Sequence, residues 1–186
     1  MDRYPSSIHL HNLRGASYSG LGQLDQAIES YRAALAIDPG FSGAHYNLGN
    51  AYKEQQLFDA ALESYRAAIR IEPDIADAYN NMGGILREHK GDLQEAIECY
   101  RKALLIKPDY VDAHNNLGVA LHELGELDSA IASYQQALRI NPSHVDTQSN
   151  LGGVFYRQGN LDSAISIYRK VAKLRPSAAD VHYNLV

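Results

Sequence analysis

Apolar residues recur three and four positions apart in two stretches between Ser42 and Ile75, and a short polar break at Gln55–Gln56 separates the stretches. This spacing places apolar side chains on one face of a helix, so the pattern predicts two amphipathic helices joined by a turn. The stripe residues are Leu48, Gly49 and Tyr52 in the first helix and Ala61, Tyr65 and Ala68 in the second. Pro73 ends the unit, because proline cannot continue a helix.

The same pattern recurs along the whole chain, and its prolines mark the period. All six prolines are spaced by 34, 34, 35, 34 and 34 residues, at Pro5, Pro39, Pro73, Pro108, Pro142 and Pro176. When Ser42 is numbered position 1 of its copy, position 8 is glycine, position 20 alanine and position 24 tyrosine in five successive copies. Glycine and alanine remove bulk where helices cross, so we expect the tyrosine to fill the space beside them.

The period predicts a single array of repeats. Its full copies are 8–41, 42–75, 76–110, 111–144 and 145–178, with 1–7 as the end of a preceding repeat or a tail and 179–186 as a partial sixth repeat. We expect ten full helices, a partial eleventh and no strands. Both ends break inside a repeat, which favours a piece of a longer protein whose open apolar ends pair with other copies.

Three local features of the sequence lead to further predictions. The third copy has one extra residue near His89, Lys90 and Gly91, where we expect a loop to absorb it. Gln56 stands where other copies have glycine after the first helix, so we expect it to adopt the left-handed conformation at some cost. The aspartates at position 18 are suited to cap the second helix of their copies, and they are Asp25, Asp59, Asp128 and Asp162.

The copy 42–75 has Leu at position 7, Gly at 8, Tyr at 11, Ala at 20, Tyr at 24, Ala at 27 and Pro at 32, and this pattern resembles the tetratricopeptide repeat (TPR) family. The resemblance recurs in register over nearly the whole chain. It implies an all-α fold, a right-handed α-solenoid (superhelix) of antiparallel helix-turn-helix repeats. It also implies a concave groove lined by the first helix of each repeat, and a protein- or peptide-binding module.

Two polar rows fall on the side of the first helices that lies opposite the core stripe. An amide row occupies position 6, with one further amide at position 9, and a carboxylate row occupies position 2. The amides are Asn47, Asn81, Asn116, Asn150 and Asn184, with Asn50 at position 9, and the carboxylates are Asp77, Asp112, Asp146 and Asp180. An amide both donates and accepts hydrogen bonds, so the row can bind the backbone of an extended peptide. The carboxylates would favour Lys, Arg or hydroxyl side chains beside it.

The two rows together resemble the superhelical TPR domain of O-linked N-acetylglucosamine transferases. That resemblance implies that the chain is the substrate-recognition arm of a larger glycosyltransferase. Alternatives stay open, because an aspartate in the first turn stabilises any helix and Asn at position 6 is common in TPR repeats. The array could also be a structural scaffold that self-assembles through its open ends or its convex face. The chaperone-tail binders of the family have Lys at position 5, and here only Asn47 and Asn50 match their amides.

Charge and composition exclude several partners. Lys and Arg number 17 against 22 Asp and Glu, a net charge of −5 without a basic block, so neither nucleic acid nor an anionic membrane is expected. Cys99 is the only cysteine, which excludes an intramolecular disulfide and a thiolate metal cluster. The sequence has neither an apolar run near the ~20 residues of a membrane span nor a signal-peptide pattern at Met1–Ser7. We therefore expect a cytoplasmic protein.

The sequence offers no residues for catalysis. Gly15, Gly20 and Gly22 lack the Lys-Ser/Thr of a phosphate-binding loop. Four histidines share position 4, which separates them by whole repeats, so we expect core or interface aromatics rather than metal ligands. They are His11, His45, His114 and His182. The prediction is therefore a binding protein without catalytic, cofactor-binding or metal-ligating residues.

Overall fold

The computed structural model describes residues 6–174, and its helices follow the predicted period. They are α1 Ser6–Gly20, α2 Leu24–Ile37, α3 Ser42–Glu54, α4 Phe58–Ile71, α5 Ala76–Ile85, α6 Leu93–Ile106, α7 Val111–Leu124, α8 Leu127–Ile140, α9 Val145–Arg157 and α10 Leu161–Leu174. The all-α prediction is confirmed, since residues 6–174 contain no strand. The partial eleventh helix predicted for 179–186 lies outside the described residues.

The chain forms two compact units, Met1–Lys90 and Gly91–Val186. In the first unit α1 packs on α2, α2 on α3, α3 on α4 and α4 on α5. In the second unit the same succession runs from α6 to α10. The third copy therefore contributes α5 to the first unit and α6 to the second.

Each unit packs a tyrosine of a second helix over a glycine of a first helix. Tyr65 is fully buried, and a Cβ on Gly49 would lie 2.7 Å from its ring. Tyr134 is equally buried in the second unit, where a Cβ on Gly118 would lie 2.5 Å from the ring. The alanines at position 20 are also buried, and they are Ala27, Ala61, Ala96, Ala130 and Ala164. The expectation that small residues let the helices approach, with tyrosine filling the space, is confirmed.

The extra residue of the third copy lies in a widened helical turn and not in a loop, which corrects the expectation. The helix that begins as α5 continues as a π-helical turn at Leu86–Lys90, and a π turn accommodates an additional residue without ending the helix. The ring of His89 stacks on Phe58 of α4, with centroids 3.6 Å apart. Lys90 pairs with Asp59 at 2.6 Å. These contacts with α4 stabilise the widened turn and explain why the chain stays helical here.

The turn after α3 has the strained backbone that the sequence predicts. Gln56 has a φ of 61°, in the left-handed region that the glycines of other copies occupy. Side chains other than glycine adopt this region at a cost of about 1–2 kcal/mol. The glycines at the matching turns are Gly22, Gly91, Gly125 and Gly159.

The aspartates at position 18 join neighbouring repeats instead of capping their own helices, so that expectation is wrong for α2, α4 and α8. Each lies at the second residue of its helix, inside the cap. Asp25 accepts a hydrogen bond of 2.7 Å from Nε2 of Gln55, at the end of α3. Asp128 accepts one of 3.2 Å from Nε2 of Gln158, at the end of α9. The residues at the caps are Gln23, Leu57 and Glu126, without side-chain cap hydrogen bonds.

Candidate functional site

The first unit carries a concave pocket of about 420 Å³ between the first helices of its repeats. Its polar wall consists of Asn47, Asn50, Lys53 and Glu54 from α3, and of Asn81 from α5. The pocket therefore brings together three predicted site residues, Asn47, Asn50 and Asn81. Its volume lies within the usual range of ligand pockets, roughly 300–1,000 Å³.

Helical spacing explains why α3 presents these side chains together. Asn47, Asn50 and Glu54 are three and four residues apart, so they lie on one face of the helix. Leu48 and Tyr52 lie on another face and are buried in the core. Positions 6 and 9 of α3 therefore share the side away from the core, as predicted, and Glu54 lies on the same side.

A chain of hydrogen bonds connects the amides of the pocket. Nζ of Lys53 donates to Oδ1 of Asn81 at 3.3 Å, and Nδ2 of Asn81 donates to Oδ1 of Asn50 at 3.1 Å. The hydroxyl of Tyr65 donates to the same Oδ1 of Asn50 at 2.6 Å. Nδ2 of Asn47 donates to Oδ1 of Asn12 at 3.0 Å. Each position-6 amide in this unit thus bonds the preceding repeat, so it contributes to repeat stacking as well as to the pocket.

The second unit repeats this amide contact with different partners. Nδ2 of Asn150 donates to Oδ1 of Asn115 at 3.0 Å, and Oγ1 of the fully buried Thr147 donates to the same oxygen at 2.9 Å. Nδ1 of His144 lies 2.7 Å from that Oγ1. Asn116, the predicted site residue of this repeat, is half-buried and has a partner of its own.

Sequence reasoning missed the amides at position 5 as partners of the row. Asn12 and Asn115 stand there and accept from Asn47 and Asn150 of the next repeat. The signal was present, because amides recur at position 5 in copies one, three and four. A pattern along one helix does not show which residue of the neighbouring repeat faces it.

The carboxylates of position 2 are placed differently from the amides. Asp77, Asp112 and Asp146 are exposed in the first turns of α5, α7 and α9, and none of them lines the pocket of the first unit. An acid in the first turn stabilises a helix through its dipole. Oδ1 of Asp112 also lies 3.4 Å from Nε2 of His144. Asn184 and Asp180 lie outside the described residues.

Burial shifts the pKa of Tyr65, which contacts the amides of the first unit, and of His122 in the second unit. Burial raises the pKa of the Tyr65 hydroxyl well above its usual value, Tyr46 and Glu54 add to the rise, and a hydrogen bond with Asn81 opposes it. Tyr65 therefore stays protonated and donates to Asn50. In the second unit burial lowers the pKa of His122, and the charge of Arg157 lowers it further. NH1 of Arg157 lies 2.9 Å from Nε2 of His122, which accepts as a neutral imidazole.

Two position-4 histidines bond a backbone carbonyl of the preceding turn. Nε2 of His45 donates to the Pro39 carbonyl at 2.9 Å, and Nε2 of His114 donates to the Pro108 carbonyl at 3.0 Å. Residues 6–174 hold no group of three or more His, Cys, Asp or Glu side chains that could bind a metal ion. Within the same residues no helix combines the length and the apolar character needed to cross a membrane.

Solved structures with the same fold are numerous. The MamA protein is 25% identical with a TM-score of 0.82, over 94% of this chain and 94% of that chain. The pilF protein of Pseudomonas aeruginosa is 24% identical with a TM-score of 0.84, over 96% of this chain and 81% of that chain. YrrB, described as a TPR protein with an unusual peptide-binding site, is 21% identical with a TM-score of 0.79, over 93% and 89%. A search of curated proteins gives no match.

Family models match most of the chain. The model described as TPR repeat matches residues 15–56, 89–125, 120–159 and 152–185, and the tetratricopeptide repeat model matches 42–75. These ranges cover the glycine, alanine and tyrosine positions that define the core, apart from Gly83 of the third copy. Modules of this kind mediate protein interactions and generally act as adaptors without catalysis. The chain belongs to the tetratricopeptide repeat family.

Proposed function

We propose that this chain binds an extended segment of a partner protein, with the amides of the first unit holding the segment's backbone. The observation that carries the proposal is the convergence of Asn47, Asn50 and Asn81 on one concave pocket. Some of their hydrogen-bonding atoms have no partner in the described part of the chain, among them Oδ1 of Asn47 and Nδ2 of Asn50. An extended backbone offers both donors and acceptors to such groups.

We propose a corresponding surface within the second unit, where Asn116 and Asn150 bind the backbone and the carboxylates of position 2 influence which side chains are accepted beside it. The same role stays a sequence prediction for Asn184, which lies outside the described residues. The proposed partner is a protein or peptide rather than nucleic acid or membrane, since the chain carries a net charge of −5. The expected cytoplasmic location stays a prediction.

The amide row also supports a more specific proposal. Its similarity to the superhelical domain of O-linked N-acetylglucosamine transferases favours a substrate-recognition arm within a larger glycosyltransferase. YrrB, described as having a peptide-binding site, shares only the fold at 21% identity. The proposal for this chain therefore rests on its own amides.

Peptide selection tests the proposal. A phage-displayed library of random 12-residue peptides is selected on the 186-residue chain, and fluorescence polarisation measures the affinity of the enriched peptides. Asn50→Ala together with Asn81→Ala should weaken binding by about tenfold or more, because each lost hydrogen bond contributes about 0.5–1.5 kcal/mol. Gln135→Ala, which removes an exposed amide from α8, is the matched control. Unchanged affinity in the double variant, with helicity retained in circular dichroism, would refute the proposal.

Self-assembly into a scaffold is the second candidate, because α1 and the turn that follows it expose three leucines. Leu10, Leu13 and Leu21 are 61%, 63% and 72% exposed. Exposed leucines of this kind favour association with another protein surface. We propose that a second copy of the chain packs against them. Sedimentation velocity at rising concentration should show dimers or longer assemblies that Leu10→Glu with Leu13→Glu disperses. A monomer at all concentrations would exclude this candidate. The other end patch expected from the sequence, His182, Leu185 and Val186, lies outside the described residues.

A further inference from the structure

One face of α1 differs from the faces by which the later repeats stack on each other. Position 7 is a buried leucine or methionine in the later copies, whereas Arg14 holds it in α1 and is exposed. Leu10 holds position 3 and is 61% exposed. In the later copies this position is small and fully buried, and its residues are Ala44, Ala78, Ala113 and Thr147. This face of α1 therefore lacks the small and apolar residues that receive the second helix of a preceding repeat.

Four exposed residues form a stripe along this face, which we call the α1 seam. They are spaced by four, three and four residues, the spacing at which two helices pack side by side, and they are Leu10, Arg14, Ser17 and Leu21. Leu21 directly follows α1, and its N–H still bonds the Ser17 carbonyl at 3.2 Å. The seam has leucine at both ends and polar residues in the middle. Two antiparallel seams therefore place Leu10 against the Leu21 of the other copy, and Arg14 against the other Ser17.

The two polar residues of the seam are complementary in hydrogen bonding. Nε of Arg14 donates to Oγ of the buried Ser30 at 3.0 Å, while its Nη groups have no partner among residues 6–174. The hydroxyl of Ser17 donates its one hydrogen to the Leu13 carbonyl at 3.0 Å, so its oxygen is left as an acceptor. Two antiparallel seams bring these donors beside that acceptor twice. The same residues of a second copy can therefore satisfy the polar middle of the seam.

An end-to-end stack of copies, built like successive repeats, would bring mismatched groups together at position 18. Within the chain, the aspartate at position 18 accepts from a donor at position 14 of the next repeat, as Asp25 does from Gln55 at 2.7 Å. In an end-to-end stack the corresponding residues are Asp162 of α10 and Leu21 of the other copy. A carboxylate would then lie against an apolar side chain that offers it no hydrogen bond.

The same stack would also bring two positive charges together. Arg32, at position 25, donates to the hydroxyl of Tyr52, at position 11 of the next repeat, at 2.6 Å. In an end-to-end stack these positions belong to Arg169 of one copy and Tyr18 of the other. Arg14 lies one turn before Tyr18, about 6 Å along the helix axis, so two guanidinium groups would come within reach of each other. Their repulsion disfavours the stack.

We propose that two copies of this chain form a closed dimer in which their α1 seams pack antiparallel about a two-fold axis. Leu10 and Leu21 cover each other at both ends, and Arg14 donates to Ser17 of the other copy near the axis. Because both copies use the same patch, the contact closes at two copies and leaves no seam for a third. This inference rests on the second candidate function, since it names the surface through which the chain self-associates.

Cysteine cross-linking tests the arrangement directly. In a chain with Cys99→Ala, Leu10→Cys together with Leu21→Cys places two pairs of thiols across the seam. Oxidised glutathione should convert most of this variant into a covalent dimer on a non-reducing gel, because each pair lies within disulfide distance. Leu10→Cys alone is the matched control. Its two thiols lie about 16 Å apart along the antiparallel helices, so it should form less than about one tenth as much covalent dimer.

Arg14→Glu separates the seam from an end-to-end stack by the sign of its effect. In the seam it removes both hydrogen bonds to the Ser17 hydroxyls and should raise the dissociation constant of the dimer by about tenfold or more. In an end-to-end stack the new carboxylate would meet Arg169 and should tighten the association. Arg139→Glu makes the same change of charge at an exposed residue of α8 and should alter the dissociation constant less than about twofold.

The outcomes distinguish this inference from the second candidate function. A chain that stays monomeric at all concentrations would contradict both. Assemblies larger than a dimer, or a cross-link in a chain with Leu21→Cys and Asp162→Cys, would keep the self-association and overturn the closed dimer. Self-association without the cross-link between residues 10 and 21, in a variant that retains its helicity in circular dichroism, would overturn it as well.

Discussion

Each unit has an amide oxygen that accepts two hydrogen bonds, but the amide stands at position 9 in the first unit and at position 5 in the second. In the first unit, Oδ1 of Asn50 accepts from Asn81 and from Tyr65. In the second unit, Oδ1 of Asn115 accepts from Asn150 and from a buried hydroxyl, that of Thr147. An amide oxygen that accepts two hydrogen bonds therefore helps neighbouring repeats to pack together. It does not by itself make a binding site.

The units also differ in chemistry at position 12. The first unit has Lys53, which only donates and bonds Asn81 of the amide cluster. The second unit has His122, whose Nε2 accepts from Arg157. The main functional proposal concerns the first unit because its amides and Lys53 line one pocket. The comparison predicts that changes to the shared core affect both units alike, whereas changes to the amide clusters do not.

The largest effect is expected from filling the glycine–tyrosine contact. Gly49→Ala and Gly118→Ala should each lower the free energy of unfolding by about 1–3 kcal/mol, because the new Cβ would overlap a buried tyrosine ring. Gly84→Ala is the control, since a Cβ there meets nothing within 4 Å and alanine favours helix by about 0.5–1 kcal/mol. Urea unfolding followed by circular dichroism measures all three. A loss at only one of the two glycines would show that the units do not share this core.

Removing the hydroxyl that donates to each amide oxygen should lower the free energy of unfolding more in the second unit than in the first. Thr147→Val removes a fully buried hydroxyl that donates to Oδ1 of Asn115 and should lower the free energy of unfolding by about 1–2 kcal/mol. Tyr65→Phe should cost about 1 kcal/mol or less, because Asn50 borders the pocket and water can replace the hydroxyl. Double-mutant cycles with Asn115→Ala and Asn50→Ala isolate each pair. A larger coupling energy in the first unit would contradict this ranking.

The sequence predicts the periodic features well because they depend only on which face a residue occupies. The burial of Tyr65 and the left-handed backbone of Gln56 could both be predicted from their positions within the repeat. The convergence of Asn47 and Asn81 on one pocket agrees with their shared position 6. Lys53 was not singled out, because its role depends on the distance to an amide of the next repeat. Which atom an amide presents is decided by such a partner, and a pattern along one chain does not contain that information.

Alkaline pH should destabilise both units through their buried tyrosines. Burial raises the pKa of Tyr31, Tyr65 and Tyr168 above the ordinary 10.0, so the unfolded chain loses these protons first. Their contribution is complete below pH 10.0 and is lost as the pH rises through the folded-state values. Tyr65→Phe should flatten the fall in unfolding free energy above pH 10, compared with the wild-type chain. An identical slope in urea titrations at pH 8 to 11 would show that Tyr65 does not carry the effect.

The smallest effect concerns the imidazole at position 12 of the second unit. Burial lowers the pKa of His122 from 6.5, the charge of Arg157 lowers it further, and Glu123 opposes them. Because the unfolded chain binds this proton more readily, the stabilising contribution is present above pH 6.5 and is lost as the pH falls through the folded-state pKa. Arg157→Gln should raise that pKa and leave it below 6.5, since burial remains.

NMR titration of the ring protons of His122 measures the shift directly. Arg169→Gln is the matched control, because it removes an exposed arginine from α10 and should leave the pKa of His122 as it is in the wild-type chain. An unchanged pKa in Arg157→Gln would show that the arginine charge does not reach the ring. Burial alone would then account for the lowered pKa of His122. The contrast between the donor Lys53 and the acceptor His122 would not depend on the charge of Arg157.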